Sequence, residues 1–243
     1  QLLLLLLLLL YYYDYHYYYH YYYDYYCYYD RNHYLEVITN MGAAVGADPA
    51  EFRTLWRKHY VDRLTGVHAT ESANIQWVCD KLQVEADNRR IEQANQIYLD
   101  FAKPFLMAPR NGAAETLSKL RERGIKTGLL SDCGPWVPHN WSTSPFADLI
   151  DFPVYSSKSG MKKPNETLYQ NAARGLGVQP SECTYVADGN GDELVVADQL
   201  GMRAVRITPW NAPGSTPDAD FSNQWNGESI DDLSELIELL ASS

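Results

Sequence analysis

The run Cys183-Thr-Tyr-Val-Ala-Asp-Gly-Asn-Gly-Asp-Glu193 decides the fold. Cys183 to Ala187 is a short buried-strand pattern that stops at Asp188, and a helix follows from Asp192 to Leu200, closed by Gly201. Met202 to Ile207 is then a further strand. The same alternation extends upstream. A helix from about Asn165 to Arg174 ends in the turn around Gly175 and Gly177, preceded by a strand candidate at Ile150 to Tyr155. Before that, Ile125 to Leu130 reads as a strand ending at Ser131 and Asp132, preceded by the helix Ala113 to Arg123, which Gly124 terminates. Ile230 to Leu240 reads as a last amphipathic helix. Strands alternating with helices of this length predict an α/β fold, a doubly wound parallel sheet with helices on both faces. In such sheets ligands sit beyond the carboxyl ends of the strands. The candidates for chemistry are therefore Ser131 and Asp132, Ser156 and Ser157, and Asp188 with Gly189, Asn190, Gly191 and Asp192.

Residues 33 to about 103 have a different texture. Tyr34, Val37, Ile38 and Met41 recur at helical spacing. Asp48 before Pro49, with Glu51 three residues on, reads as an N-cap with proline at the first helical position. It opens a helix carrying Phe52, Leu55, Trp56, His59 and Tyr60. Further helices are predicted over Ile75 to Leu82 and Arg90 to Phe101, with no alternating strand between them. Trp56, Trp77, Tyr60 and His59 have two readings, as pocket lining or as helical core, and large aromatics favour the core.

The N-terminal segment stands apart. Leu2 to Leu10 is an unbroken leucine run, and 14 of the 20 tyrosines lie between Tyr11 and Tyr29. As a helix the leucines would cover about 14 Å, under half a bilayer core. No basic residue precedes them and no small-residue cleavage site follows, so a secretory signal is not expected. His16 and His20, with Asp14, Asp24 and Cys27 nearby, have metal-ligand spacing. However, every non-tyrosine between Tyr11 and Asp30 is Asp, His or Cys, each one base from the tyrosine codon TAC. A CTA repeat read in two frames writes leucine and then tyrosine. Residues 2 to about 29 are therefore expected to be translated repeat or a faulty gene start.

The net charge is −11, with 31 acidic and 20 basic residues. Without Asp14, Asp24 and Asp30 it is still −8, with no cluster of Lys and Arg. Nucleic-acid and anionic-membrane partners are disfavoured by long-range repulsion. Cys27, Cys79, Cys133 and Cys183 lie more than 40 residues apart and form no CxxC pair, which speaks against a zinc knuckle or disulfide framework and fits a reducing cytoplasm.

The order of the strand-end residues is itself informative. A strand ending in Ser131, then Lys163 before Pro164, then a strand ending in Asp188 with Asp192 and Glu193 resembles the haloacid dehalogenase-like (HAD) hydrolase superfamily. So do Gly160-Met-Lys-Lys-Pro164 followed by Tyr169, Gly175-Leu-Gly-Val-Gln-Pro180, and Tyr185-Val-Ala-Asp-Gly189 running through Ala197 to Gly201-Met202. The resemblance covers about residues 31 to 240. It implies a Rossmann-like core at 104–243, an inserted α-helical cap at 31–103, and a low-complexity 1–30 segment in place of the first core strand. Phosphoryl chemistry needs donors and cations aimed at the phosphate oxygens. Ser131 and the backbone N–H of Asp132 are expected to bind phosphate together with Lys163, which also steadies a carboxylate nucleophile. Lys162 reads as a solvated lysine. Asp188 and Asp192 bracket two glycines and are expected to hold Mg²⁺ through hard oxygen ligands, with Asp192 also capping its helix. The acidic loop favours phosphomonoester hydrolysis of a small soluble metabolite over carbon–halogen cleavage, since dehalogenases of the superfamily typically lack it.

One motif of the family is missing. Members begin with a strand and Asp-x-Asp-Gly-Thr, whose first Asp attacks phosphorus and whose second is general acid and base. This chain has no such run. If Asp30 marks the start of the cap, Tyr23 and Tyr25 stand at the nucleophile and acid positions, and Asp24 misses by one. Two alternatives to phosphatase action follow, a catalytically inactive scaffold as written and a 2-haloacid dehalogenase-type hydrolase. Either a leucine strand in the central slot of the sheet or an awkward N-terminal helix is expected.

Overall fold

A computed structural model describes residues 3–6, 31–107, 112–189, 191–207 and 225–241. Asp14, His16, His20, Tyr23, Asp24, Tyr25, Cys27, Asp30 and Asn190 lie outside the described residues. The elements in chain order are β1 (Leu3–Leu6), α1 (Arg31–Val45), α2 (Pro49–Lys58), α3 (Tyr60–Leu64), α4 (Glu71–Leu82), α5 (Asn88–Met107), α6 (Ala113–Glu122) and β2 (Thr127–Ser131). They continue with α7 (Trp136–Asn140), β3 (Phe152–Tyr155), α8 (Ser156–Ser159), α9 (Glu166–Leu176), β4 (Cys183–Ala187), α10 (Glu193–Gln199), β5 (Arg203–Ile207), β6 (Glu228–Ile230) and α11 (Leu236–Leu239).

The six strands form one sheet in the order β3-β2-β1-β4-β5-β6, parallel throughout. This is the doubly wound order whose switch point lies beside β1. Leucines do occupy the central slot, with Leu6 level with Leu129 on one side and Val186 on the other. Poly-leucine has no β preference of its own. Pairing on both edges supplies the hydrogen bonds that keep it extended, so tertiary context overrides propensity.

Alternation along each strand divides the apolar residues between the two faces of the sheet. Leu130, Tyr185, Ala187 and Ala204 pack with Leu168, Ala172 and Leu176 of α9 and Leu194 and Ala197 of α10. Leu129, Val186, Val205 and Ile207 belong to the other cluster, with Leu117 and Leu120 of α6 and Leu233 and Leu236. That second cluster runs without interruption into the helical region, through Ile38, Met41, Phe52, Trp56, Ile75 and Ala94.

Helix starts follow their sequence signals. Asp48 Oδ1 accepts the N–H groups of Ala50 and Glu51 at 2.9 Å each, and Thr70 Oγ1 accepts that of Ala73 at 3.1 Å. Gly124 and Gly177 take positive φ after α6 and α9, as helix ends there require. The segment Ile230 to Leu240 departs from the single amphipathic helix its periodicity suggests. Residues 228–230 pair with β5 as an edge strand, and Glu235 Oε1 accepts the N–H groups of Asp231 and Asp232. This capping restarts the chain as a 3₁₀ turn before the short α11. α5 also runs past Pro104 to Met107, since proline near a helix end removes only one internal bond.

Candidate active site

Three carboxyl-terminal strand ends define the site. β2 is buried over its whole length and delivers Ser131, 6% exposed, with Asp132 next to it. β4 is likewise buried and delivers Asp188, which is half-buried. Ser131 lies two residues beyond Leu129, and Asp188 two beyond Val186, the two residues level with Leu6. Both groups therefore sit at the same height on either side of β1, about 10 Å apart at two strand spacings.

Lys163 is drawn in from the loop before α9. It is 5% exposed, and its backbone N–H donates to Asp132 Oδ1 at 3.0 Å. The Asp132 side chain thus ties the β2 loop to the lysine loop. Cys133 N–H donates to Ser156 Oγ at 2.9 Å, and that hydroxyl donates to Cys133 O at 3.3 Å, so Ser156 at the end of β3 fixes the same turn. Of the other strand-end candidate, Ser157, the backbone carbonyl packs against Gly66, where any Cβ would overlap it.

The lysine ammonium pairs with Glu193. Nζ lies 3.0 Å from Glu193 Oε2, with side chains 5% and 2% exposed. Tyr185 donates its hydroxyl to the same oxygen at 3.1 Å, and Gly189 N–H donates to Oε1 at 3.3 Å. Tyr169 donates to the Glu193 carbonyl at 3.3 Å. Asp192, by contrast, is exposed, and its side chain makes no capping bond to α10. The acidic residue that turns inward at this helix start is Glu193. A signal for it was present in the sequence: Glu193 lies four residues before Ala197, on the buried stripe of α10, whereas Asp192 lies one step off it.

Mg²⁺ takes one or two carboxylates together with water and substrate phosphate. Asp188 offers one carboxylate at the end of β4. Glu193 is committed to Lys163, Tyr185 and Gly189, and among the described residues no group of three His, Cys, Asp or Glu is gathered for a metal. Of the two carboxylates expected to hold the ion, Asp188 is half-buried at its strand end and Asp192 is exposed at the start of α10.

The matched family model spans residues 14–195 and is that of a hydrolase, the haloacid dehalogenase-like hydrolase. The chain belongs to the haloacid dehalogenase-like hydrolases. Among curated HAD relatives, the glyceraldehyde 3-phosphate phosphatase of Pyrococcus furiosus is 28% identical over 133 residues, 53% of this chain and 53% of that protein. The (S)-2-haloacid dehalogenase 4A of Burkholderia cepacia is 32% identical over 130 residues, 53% of this chain and 54% of that protein. The chain thus spans about half the length of these relatives. A HAD family enzyme of Bacteroides thetaiotaomicron, whose crystal structure contains magnesium and inorganic phosphate, matches with a TM-score of 0.53 and 17% identity over 84% of this chain and 93% of its own. That likeness establishes the HAD fold.

The helical region meets the site through one buried polar chain. His59 is stacked on Trp77 at 3.9 Å, and its ring nitrogens lie 3.0 Å from Asp62 Oδ2 and 3.1 Å from Asn74 Oδ1. Asn74 Nδ2 donates to Glu71 Oε2 at 3.2 Å. Glu71 is buried against Gly134, where a Cβ would overlap its carboxylate, and next to Trp136 N–H, just past Ser131 and Asp132. Trp56 is wholly buried beneath Arg63, whose guanidinium lies 4.1 Å from the ring centroid. Trp56 and His59 are thus core of the helical region.

Burial raises the Glu71 carboxyl above its usual value, and Arg63 opposes the shift. The folded state then holds this proton to higher pH than the unfolded chain. Its contribution to stability is greatest below the ordinary carboxylate range and declines as pH rises through the raised value. Glu71→Gln is expected to remove that decline. Urea unfolding of both proteins over a pH series then shows a stability difference that is constant at low pH and shifts against the wild type as pH rises, and parallel curves throughout would refute it.

Proposed function

We propose that this scaffold serves Mg²⁺-dependent hydrolysis of phosphate monoesters of small soluble metabolites, with residues 31–103 acting as a cap over the site. The observation that carries this is the opposed placement of Ser131 and Asp188 at the switch point, with Lys163 held between the β2 loop and Glu193. In this reading Ser131 and the Asp132 N–H bind phosphate oxygens, and the Lys163 ammonium offsets their charge. Asp188 and Asp192 would hold the Mg²⁺, which withdraws charge from the phosphate when bound. In a parent protein that keeps the Asp-x-Asp-Gly-Thr run absent from this chain, the first aspartate of that run would attack phosphorus, giving an aspartyl phosphate while the alcohol leaves with a proton from the second. Water then cleaves the acyl phosphate, returning the carboxylate and releasing inorganic phosphate. The phosphatase relative and the magnesium- and phosphate-bound HAD structure support the phosphate reading.

Two observations favour other readings. The (S)-2-haloacid dehalogenase relative supports carbon–halogen cleavage. The leucines that follow Leu6, Leu7 to Leu10, support an inactive scaffold as written, because none can act as nucleophile. An acidic chain without a basic cluster argues against nucleic-acid partners, and no helix among the described residues is long and apolar enough to cross a membrane. The deciding assay uses p-nitrophenyl phosphate, with Mg²⁺ and with chelator, beside 2-chloropropionate. Phosphate release that needs Mg²⁺ and disappears in Asp188→Asn supports the phosphatase reading for the chain as written. Chloride release overturns it in favour of the dehalogenase, and absence of both products identifies the inactive scaffold.

A further inference from the structure

The two tyrosines behind Lys163 have no part in the reaction described so far. Tyr185 comes from the middle of β4 and Tyr169 from α9, and both are wholly buried, with ring centroids 5.0 Å apart. A buried phenol needs a hydrogen-bond partner. Both hydroxyls find it on one residue, Tyr185 on the Glu193 carboxylate and Tyr169 on the Glu193 carbonyl. Burial, and next the Glu193 charge, push both phenols upward, which keeps them protonated as donors.

The geometry limits what Glu193 can do. Its Oε2 receives Lys163 Nζ and the Tyr185 hydroxyl, and its Oε1 receives Gly189 N–H. A carboxylate with only the lysine as partner has freedom to rotate, and the flexible ammonium rotates with it. The tyrosine hydroxyl approaches from the sheet side and removes that freedom, while Gly189 N–H links the carboxylate to the loop that carries Asp188.

We infer that Tyr185 is a positioning residue: its hydroxyl locks the Glu193 carboxylate so that the Lys163 ammonium is fixed at the phosphate subsite, with Tyr169 anchoring the same helix start through the Glu193 carbonyl. The phosphate half of this inference rests on the phosphatase reading above; the lysine half does not. Tyr185→Phe keeps the ring and its packing and removes only the hydroxyl.

Two measurements on the full chain test it. In the first, inorganic phosphate is titrated calorimetrically into the wild type, Ser131→Ala and Tyr185→Phe. In the second, the Lys163 ammonium is followed by its ¹H–¹⁵N resonance, assigned by its loss in Lys163→Arg. Tyr185→Phe is expected to weaken phosphate binding about tenfold, the scale of one hydrogen bond to a charged group. It should also shift or broaden the Lys163 resonance, with the thermal transition still cooperative. If Ser131→Ala weakens phosphate binding and Tyr185→Phe leaves both binding and the resonance unchanged, the positioning role is overturned and the phosphatase reading stands. If the wild type binds no phosphate, the phosphatase reading fails, and the resonance alone decides, an unchanged signal overturning the role and a changed one supporting it.

Discussion

Glu193→Ala is expected to destabilise the protein by about 3–5 kcal/mol, the usual cost of leaving one member of a buried ion pair uncompensated. Lys163 and Glu193 are both almost wholly buried and 3.0 Å apart, so water does little to replace the lost carboxylate. The Tyr185 hydroxyl and Gly189 N–H lose their acceptor in the same change. Removing both charges together should cost far less, because a buried pair contributes little net stability against an apolar pair of similar volume. Equilibrium urea unfolding of Glu193→Ala beside the double variant Lys163→Met, Glu193→Leu measures this. A single-variant loss below about 1 kcal/mol, the range of an exposed pair, would show that the two groups are solvated. Asp192→Ala, at the exposed neighbour, provides the contrast and should change stability only by a few tenths of a kcal/mol.

Much of this site was legible in the sequence, and the part that was not has a physical reason. Strands ending at Ser131 and Ala187 announce themselves because short β-favouring runs stop at polar residues, and the parallel order follows from the helices between them. Lys163 was visible through its proline and the residues around it. The inward role of Glu193 is not legible from motif spacing. Acidic residues next to each other at a helix start look alike to motif spacing, and only the phase of the buried stripe separates the one that faces water from the one that pairs with Lys163. Tyr169 and Tyr185 stood in the family-like runs, yet nothing in a sequence tells that two phenols sixteen residues apart converge on one glutamate. Ile230 to Leu240 reads as one helix in sequence because an edge strand of three residues carries too little periodicity to stand out. The opposite held for β1. Its leucines favour a helix, and only the empty central place in a parallel sheet explains why they are extended.

That placement sets up the largest expected change in activity. From Leu129 to Ser131 and from Val186 to Asp188 is two residues, and the same count from Leu6 reaches Leu8. Leu8 itself lies outside the described residues; by this count, rather than by counting back from Asp30 to Tyr23, a nucleophilic carboxylate is introduced at position 8. The quadruple variant Leu8→Asp, Leu10→Asp, Tyr11→Gly, Tyr12→Thr writes the missing Asp-x-Asp-Gly-Thr run there. It is expected to raise Mg²⁺-dependent hydrolysis of p-nitrophenyl phosphate by roughly 10⁴-fold or more over the chain as written, the scale on which removing a covalent nucleophile lowers turnover. Leu8→Asn in place of Leu8→Asp, with the other three changes kept, should abolish the gain, because an amide cannot form the acyl phosphate. A gain that survives Leu8→Asn would mean that the added carboxylate at position 10 acts on water directly. A folded quadruple variant that binds phosphate and yields no turnover would place the obstacle elsewhere in the site, with the proposed Asp188 and Asp192 metal pair the first place to look.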